Sequence, residues 1–443
     1  MKKIIKNYAI SAPLMLLATL FVINSYAMWP GVMSADGIEQ YNSALAGTYS
    51  DHHPPIMSFI WHYLIKLHSG PGLMLSWHLI MLYAAAAVFI YTFRDSKFKW
   101  WFAIYPIIPG VIAYTPLIVK DVGLAFSFLL AGSLLAYLMI GKVKKYKWPI
   151  LALVVLLLFY GTAVKYQARF MVGFFCIGVT FCIFNYKHSW KVIISGLALY
   201  LIVLQAMFSF NNYLVPNVQK SHSWQFVKLY DLTAMSIYYN KPLFPEYIIN
   251  NPDFSFERLK NTFVIYEVDS LAFGPNSVLR KARNDSEREI LLQYWRKAVI
   301  EHPFLYLKSR ARLFNFTLTG TPSANTNPAQ FLATIPAFKP IVTIPDVYSA
   351  VGKVYSIAKQ TLQFTWLLPL LFIYCFLGFA KLGSSRSAMP LLIFSLTSLI
   401  LIGILFFMSM FGTARYLFIC VCLIHASHGF AYNCLTNNDK LSN

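Results

Sequence analysis

Charge is scarce in this chain. Only 12% of its 443 residues are Asp, Glu, Lys or Arg, about half the roughly 25% that a soluble domain needs to cover its surface. A chain folded wholly in water is therefore excluded. Acids are scarcer still, 17 against 37 basic residues. Those cations sit in short clusters between apolar runs and not on one folded basic domain, so they read as topogenic charge and nucleic acid is excluded as a partner. The six cysteines (Cys176, Cys182, Cys375, Cys420, Cys422, Cys434) all lie in or beside apolar runs. With none in the long polar stretch, neither a disulfide framework nor a CxxC metal pair is implied. No internal repeat emerges.

What the chain has instead is apolar length: 58% of it is hydrophobic and 17% aromatic. The run from Tyr8 to Met28 follows Lys2, Lys3 and Lys6 as a signal peptide would. It exceeds the ~7–15 residues of a signal core and is long enough to cross lipid. Met28-Trp29-Pro30 after Ala27 is a poor cleavage context, so an uncleaved first helix is expected. Further runs lie at 72–93, 98–116, 121–141, 149–164, 170–186, 192–210, 362–380, 391–412 and 416–434. The expected fold is an all-α polytopic membrane protein of about ten transmembrane helices, with Pro106, Pro109 and Pro116 interrupting the third.

Basic clusters alternate between these runs: Lys2, Lys3, Lys6; Arg94, Lys97, Lys99; Lys142, Lys144, Lys145, Lys147; Lys187, Lys191; Lys381, Arg386. By the positive-inside rule they are cytoplasmic, as are both termini of an inner-membrane protein. The connections at 29–71, 117–120, 165–169, 211–361 and 413–415 then face the periplasm. Three regions follow: an N-terminal bundle over 1–210, a large loop region over 211–361, and C-terminal helices with a short tail over 362–443. The 211–361 region holds most of the acids, among them Asp253, Glu257, Asp269, Asp285, Glu287, Glu289 and Glu301. Ile290, Leu291, Tyr294, Trp295 and Ala298 have helical spacing, which predicts a helix over 284–313. The Thr-, Pro- and Asn-rich 316–345 reads as irregular loop.

The first external loop, 29–71, concentrates the chemistry. Asp36, Glu39, Asp51, His52 and His53 put three carboxylates and two histidines beside the membrane within 18 residues. Ionisable groups there are costly unless used. Asp36 and Glu39, three apart, share a helix face and suit a general base beside a second carboxylate. The same spacing is equally a capping box with Asp36 as N-cap. Pro54-Pro55 suits a first helical turn, which puts Asp51, His52 and His53 at a helix N-terminus, a place that attracts phosphate. One histidine capping the helix and the other solvated is the competing reading. No convergent metal-ligand spacing is identified.

Other polar groups lie at external helix ends: Lys120-Asp121 at the start of the fourth run, Lys165, Tyr166 and Arg169 after the fifth, and Arg415-Tyr416 before the last. Arginine binds phosphate oxygens through a planar fork, so Arg169 or Arg415 suits a leaving phosphate. Lys165 reads as an interface anchor that snorkels.

In this order the residues resemble the GT-C superfamily of integral-membrane glycosyltransferases: Asp36 in the first loop, His53-Pro54-Pro55 entering a helix, Lys120-Asp121, and a late Ala414-Arg415-Tyr416. The resemblance extends to Tyr230-Asp231-Leu232 and to Glu301-His302-Pro303-Phe304-Leu305-Tyr306 in the large loop. Within the superfamily the chain is most similar to prophage-type, serotype-converting O-antigen glucosyltransferases. That likeness implies a GT-C-like fold, an undecaprenyl-phosphate-linked glucose donor, lipid-linked O-antigen as acceptor, and inverting displacement at a periplasmic site. It marks Asp36 as the base, Asp121 as the acid of the second external turn, and His53 as the histidine of the His-Pro-Pro step. Here Gly37 follows Asp36 where relatives often have a second acid, so either Asp36 or Glu39 is the base.

The expected mechanism has that base deprotonate an acceptor hydroxyl held with help from Asp51, His52 or Tyr166. Arg415, Arg169, Lys120 or His53 then meets the charge growing on the carrier phosphate. Phosphate leaves readily, so no cofactor is required in principle, and a divalent metal stays open. The rivals are a lipid-linked sugar transporter, expected to show inverted repeats, and an O-antigen polymerase or ligase, for which Arg310 and Arg312 would be the working loop arginines.

Overall fold

The computed structural model describes residues 2–141, 145–184, 189–272, 277–319, 364–436 and 439. Lys142, Lys144 and Lys187 of the basic clusters, and residues 320–345 of the expected irregular loop, lie outside these. Helix dominates. The described strands, β1 (Tyr49–Ser50) and β2 (Val218–Gln219), form one short parallel pair. Two compact units divide the chain, one holding the described residues of 1–219, 364–401 and 417–443, the other those of 220–319 and 402–416.

The first unit carries, in order, α1 (Lys2–Met28), α2 (Ala35–Ala46), α3 (Ile56–Leu67), α4 (Gly72–Thr92), α5 (Phe98–Ile104), α6 (Pro109–Ile112), α7 (Lys120–Gly141), α8 (Lys147–Val164), α9 (Val172–Phe184) and α10 (Ser189–Ser209). Seven helical stretches of the described chain are long and apolar enough to cross a membrane, which makes this an all-α, multi-pass membrane protein. They are Ile10–Met28, Gly72–Thr92, Lys120–Gly141, Lys147–Val164, Ser189–Leu214, Ala388–Met408 and Ala414–Thr436. The other three expected runs fall on shorter apolar helices. Pro106 and Pro109 break 98–116 into α5, a 3-10 turn and α6, because proline lacks the N–H that would continue a helix. The run at 170–186 gives the 13 described residues of α9, about 20 Å of rise against a core of about 30 Å.

Burial orders the spans. The apolar window of α7 is 89% buried, whereas those of α1 and the Ser189–Leu214 stretch are 17% and 22% buried. Thus α7 is the axis of the first unit, packed by α4 and α8, and the outer helices turn apolar side chains such as Ile193, Leu197 and Leu201 outward. In a membrane protein that outward face meets lipid.

The second unit has its own core around α11 (Trp224–Tyr239), with α12 (Glu246–Ile249), α13 (Phe256–Thr262), α14 (Asp269–Ala272), α15 (Asp285–Glu301) and α16 (Pro303–Thr319). The expected helix over 284–313 is two helices. Asn284 caps α15 by accepting from the Glu287 backbone N–H (2.8 Å), and the His302-Pro303 step ends it. Leu229, Leu232 and Met235 of α11 bury against Phe244, Ile248, Leu259 and Leu291. Within that core Asp231 and Arg310 are both fully buried, with Arg310 Nη2 2.6 and 2.7 Å from the two carboxylate oxygens. Trp295 Nε1 donates to Asp231 at 2.9 Å, and Arg310 also donates to the Ser409 carbonyl. The last helices are α17 (Leu367–Ala380), α18 (Ala388–Met408), whose residues from 402 on belong to the second unit, and α19 (Phe418–Thr436).

Candidate functional site

The expected site residues gather in the first unit because two loop segments pair by backbone. Val32 donates to the Pro116 carbonyl (2.7 Å) and Ile118 donates to the Val32 carbonyl (2.8 Å), joining the chain just before α2 to the chain just before α7. α2 then lies so close that a Cβ on Gly37 would stand 2.7 Å from the Ile118 carbonyl oxygen. Asp36 and Glu39 therefore ride beside the first turn of α7, which begins with Lys120 and Asp121.

A second tie places the histidines. β1 pairs with β2, and Asp51 N–H donates to the Gln219 carbonyl at 3.0 Å. Pro54-Pro55 then turns the chain into α3, which packs on α2 through Tyr41 and the fully buried Trp61. The prolines precede α3 and do not form its first turn: Pro55 is its N-cap and Ile56 its first residue, so residues 51–53 lie on the turn that leads into it.

At the meeting point His53 is buried between two charged groups. Lys120 Nζ donates to its Nδ1 at 2.5 Å, which leaves the imidazole proton on Nε2, 3.4 Å from Glu39 Oε2. The His52 ring lies 4.6 Å from that of His53. Burial, then the neighbouring His53, pushes His52 down to about 4. Burial, then Lys120, lowers His53 despite the pull of Glu39 and Asp36. Both rings are therefore neutral at neutral pH, and the cation in this cluster is Lys120, not His53 as the phosphate reading allowed. The His53 imidazole beside it holds Glu39 below its ordinary value, against burial and the Asp36 charge.

The capping-box reading is corrected in part. Ser34, not Asp36, is the N-cap of α2, accepting from the Gly37 N–H at 3.3 Å. Asp36 sits in the first turn, and Glu39 is exposed on the next turn. Glu39 also lines a groove of about 610 Å³ along α2, with Ile38, Asn42, Ser43 and Thr48. On its other side a water-sized cavity of about 10 Å³ is bounded by Glu39, Gln40, Ser50, His53 and Ser58.

Lys165 is not a snorkelling anchor. It is 3% exposed and ion-paired with Asp121, itself 3% exposed, so the pair clasps the end of α8 to the start of α7. Tyr166 OH donates to the Asp51 carbonyl (3.0 Å). Arg169 is exposed, its guanidinium 4.8 Å from the Phe170 ring centre. Arg415 lies in the second unit, its guanidinium 5.7 Å from the Tyr416 ring centre. Arg310, the loop arginine of the polymerase reading, is consumed by Asp231; Arg312 donates to Tyr238 OH at 2.9 Å.

Two features had no sequence signal. Gln40 is 1% exposed, and its amide has no hydrogen-bond partner among the described residues. Glu39, His52 and His53 also offer one metal-ligand atom each, all within 4.8 Å of one another, where no ligand set was expected.

The fold and this cluster define a polytopic, all-α membrane protein with an ionisable site at the ends of its helices. No protein-family model matches the chain, and neither a curated protein nor a solved structure is found to be similar to it.

Proposed function

We propose that the protein is a glycosyltransferase that moves glucose from undecaprenyl-phosphate-glucose to lipid-linked O-antigen at the periplasmic face of the inner membrane. One observation carries the reading: Glu39, His53 and Lys120 meet at the start of the central helix α7, and Glu39 opens onto a groove. A base, a cation and a concave surface at a helix end are what transfer from a membrane-held phosphate carrier requires. The order of these residues along the chain, which resembles the GT-C superfamily, supplies the substrate class.

In this mechanism the acceptor hydroxyl lies in the α2 groove, where Glu39 or Asp36 takes its proton. It attacks the anomeric carbon from the face opposite the carrier, and the C–O bond to phosphate breaks with its electron pair leaving on the phosphate. Lys120 meets that charge, oriented by neutral His53. Asp121 is a positioning residue, since its carboxylate holds Lys165. Arg169 and Arg415 are further phosphate candidates, with Asp51, His52 and Tyr166 on the acceptor side. The alternating basic clusters support cytoplasmic termini and a periplasmic site.

Mass spectrometry of surface lipopolysaccharide from cells with and without the gene tests the proposal. A hexose increment on the O-antigen repeat is expected only with the gene. Identical repeats in both strains would refute it.

A further inference from the structure

We propose that Glu39, His52 and His53 form a binding site for a divalent transition-metal ion, and that Lys120 holds its affinity down. This goes beyond sugar transfer and does not rest on it.

Three observations converge. The first is spacing. Ligands about 2.0–2.2 Å from a tetrahedral ion stand roughly 3.3–3.6 Å apart. His53 Nε2 and Glu39 Oε2 are 3.4 Å apart, long for a hydrogen bond to a carboxylate, which prefers roughly 2.7–2.9 Å, but an edge of such a site. A ligand atom of His52 lies within 4.8 Å of both, and Glu39, half-exposed, is free to turn its carboxylate toward an ion held by the two imidazoles. The second is rigidity. His52 and His53 sit on a turn held by the β1–β2 pairing and Pro54-Pro55, so the two imidazoles are placed before any ion arrives. The third is the unpartnered Gln40. Its amide, 1% exposed, borders the water-sized cavity shared with Glu39 and His53. A metal-bound water there would have a partner of the kind that orients ligands.

The donor set names the ion class. Two imidazoles and one carboxylate suit Zn²⁺, Co²⁺ or Ni²⁺ more than Mg²⁺ or Ca²⁺, which prefer all-oxygen shells.

Lys120 sets the affinity. A histidine that coordinates through Nε2 carries its proton on Nδ1 and donates it to an acceptor. At His53 that place belongs to the Lys120 ammonium, 2.5 Å from Nδ1, which can only donate. Binding therefore displaces Lys120, and the lysine works against the ion by charge as well as by hydrogen-bond direction. A glutamine at 120 would reverse the direction, since its amide oxygen accepts from Nδ1–H.

The test is Zn²⁺ binding to the full-length protein in detergent, by equilibrium dialysis against a competing indicator at fixed pH. The Lys120→Gln variant is expected to bind Zn²⁺ at one equivalent, roughly 10–100-fold more tightly than the wild type, the range by which outer partners tune metal affinity. Adding His52→Ala or Glu39→Gln to Lys120→Gln should abolish the gain. Co²⁺ in place of Zn²⁺ should give visible absorption of a four- or five-coordinate ion in Lys120→Gln, lost with His52→Ala. Equal affinity in wild type and Lys120→Gln, or a gain that survives both ligand substitutions in folded protein, overturns the proposal. A protein that binds Zn²⁺ this way but transfers no sugar leaves it standing.

Discussion

Removing one half of the Asp231–Arg310 pair is expected to unfold the second unit far more readily than removing both halves. Both side chains are fully buried, and Arg310 Nη2 reaches both carboxylate oxygens at 2.6 and 2.7 Å. Arg310→Met leaves Asp231 with Trp295 and the charge of the nearby Lys228. It also strips the Ser409 carbonyl of its donor. Breaking a buried pair in this way costs about 3–5 kcal/mol, because the surviving charge is stranded. For a unit of this size that corresponds to a fall of more than about 10 °C in melting temperature. Asp231→Leu should fall as far, stranding the guanidinium instead. The double variant Asp231→Leu/Arg310→Met strands no charge, only the neutral Ser409 carbonyl and Trp295 N–H, and it should recover most of the loss. The assay is thermal unfolding in detergent, followed by tryptophan fluorescence, since Trp295 sits on the pair. Single variants that melt within about 2 °C of wild type, or a double variant that loses the sum of the singles, would refute the reasoning.

The Arg280–Glu287 contact adds a pH term. Two hydrogen bonds from Arg280 (2.8 and 2.9 Å) hold the Glu287 carboxyl down at about 2 against 4.5 ordinarily. A depressed carboxylate contributes its full stability above the unfolded value and loses it as pH falls through the folded one. The second unit should therefore weaken between pH 4.5 and 2, and Glu287→Gln should flatten that dependence in acid titrations of its fluorescence. Gly37→Ala is expected to destabilise by ~1–3 kcal/mol, because its Cβ would meet the Ile118 carbonyl oxygen at 2.7 Å and backbone yields little. Thermal unfolding checks it, and a wild-type melting point would mean that α2 shifts freely. Reporter fusions at Asn240 and Asn443 should report opposite sides of the membrane; the same side for both would overturn the orientation.

The spans were legible because apolar runs near 20 residues have few other uses. Seven of the ten expected runs fall on helices long enough to cross a membrane and three on shorter apolar helices, and the prolines marked where the third breaks. The start of α17 was less legible, since the apolar sequence already runs over the 3-10 turn Phe364–Trp366 without a signal. The start of α2 was set two residues late, because Asp36 with Glu39 has capping-box spacing while the cap is Ser34, a residue type that caps equally well. The first-loop cluster was legible as a concentration of ionisable groups, but its wiring was not. Lys120 reaches His53 only because Val32 and Ile118 pair through backbone atoms, which no side-chain pattern records. Lys165 was misread for a similar reason: snorkelling is judged from a helix end alone, whereas its partner Asp121 lies 44 residues away. The burial of Arg310 against Asp231 is likewise long-range, at a separation of 79 residues.

The central claim is tested most directly by incubating the purified protein with synthetic undecaprenyl-phosphate-[¹⁴C]glucose and lipid-linked O-antigen, and following label into the acceptor. The wild type is expected to transfer glucose with inversion at the anomeric carbon. Of Asp36→Asn and Glu39→Gln, the one that removes the base should lose ~10²–10⁴-fold in rate while keeping the wild-type melting temperature. No transfer by folded wild-type protein, or near-normal transfer by both variants, would contradict the account.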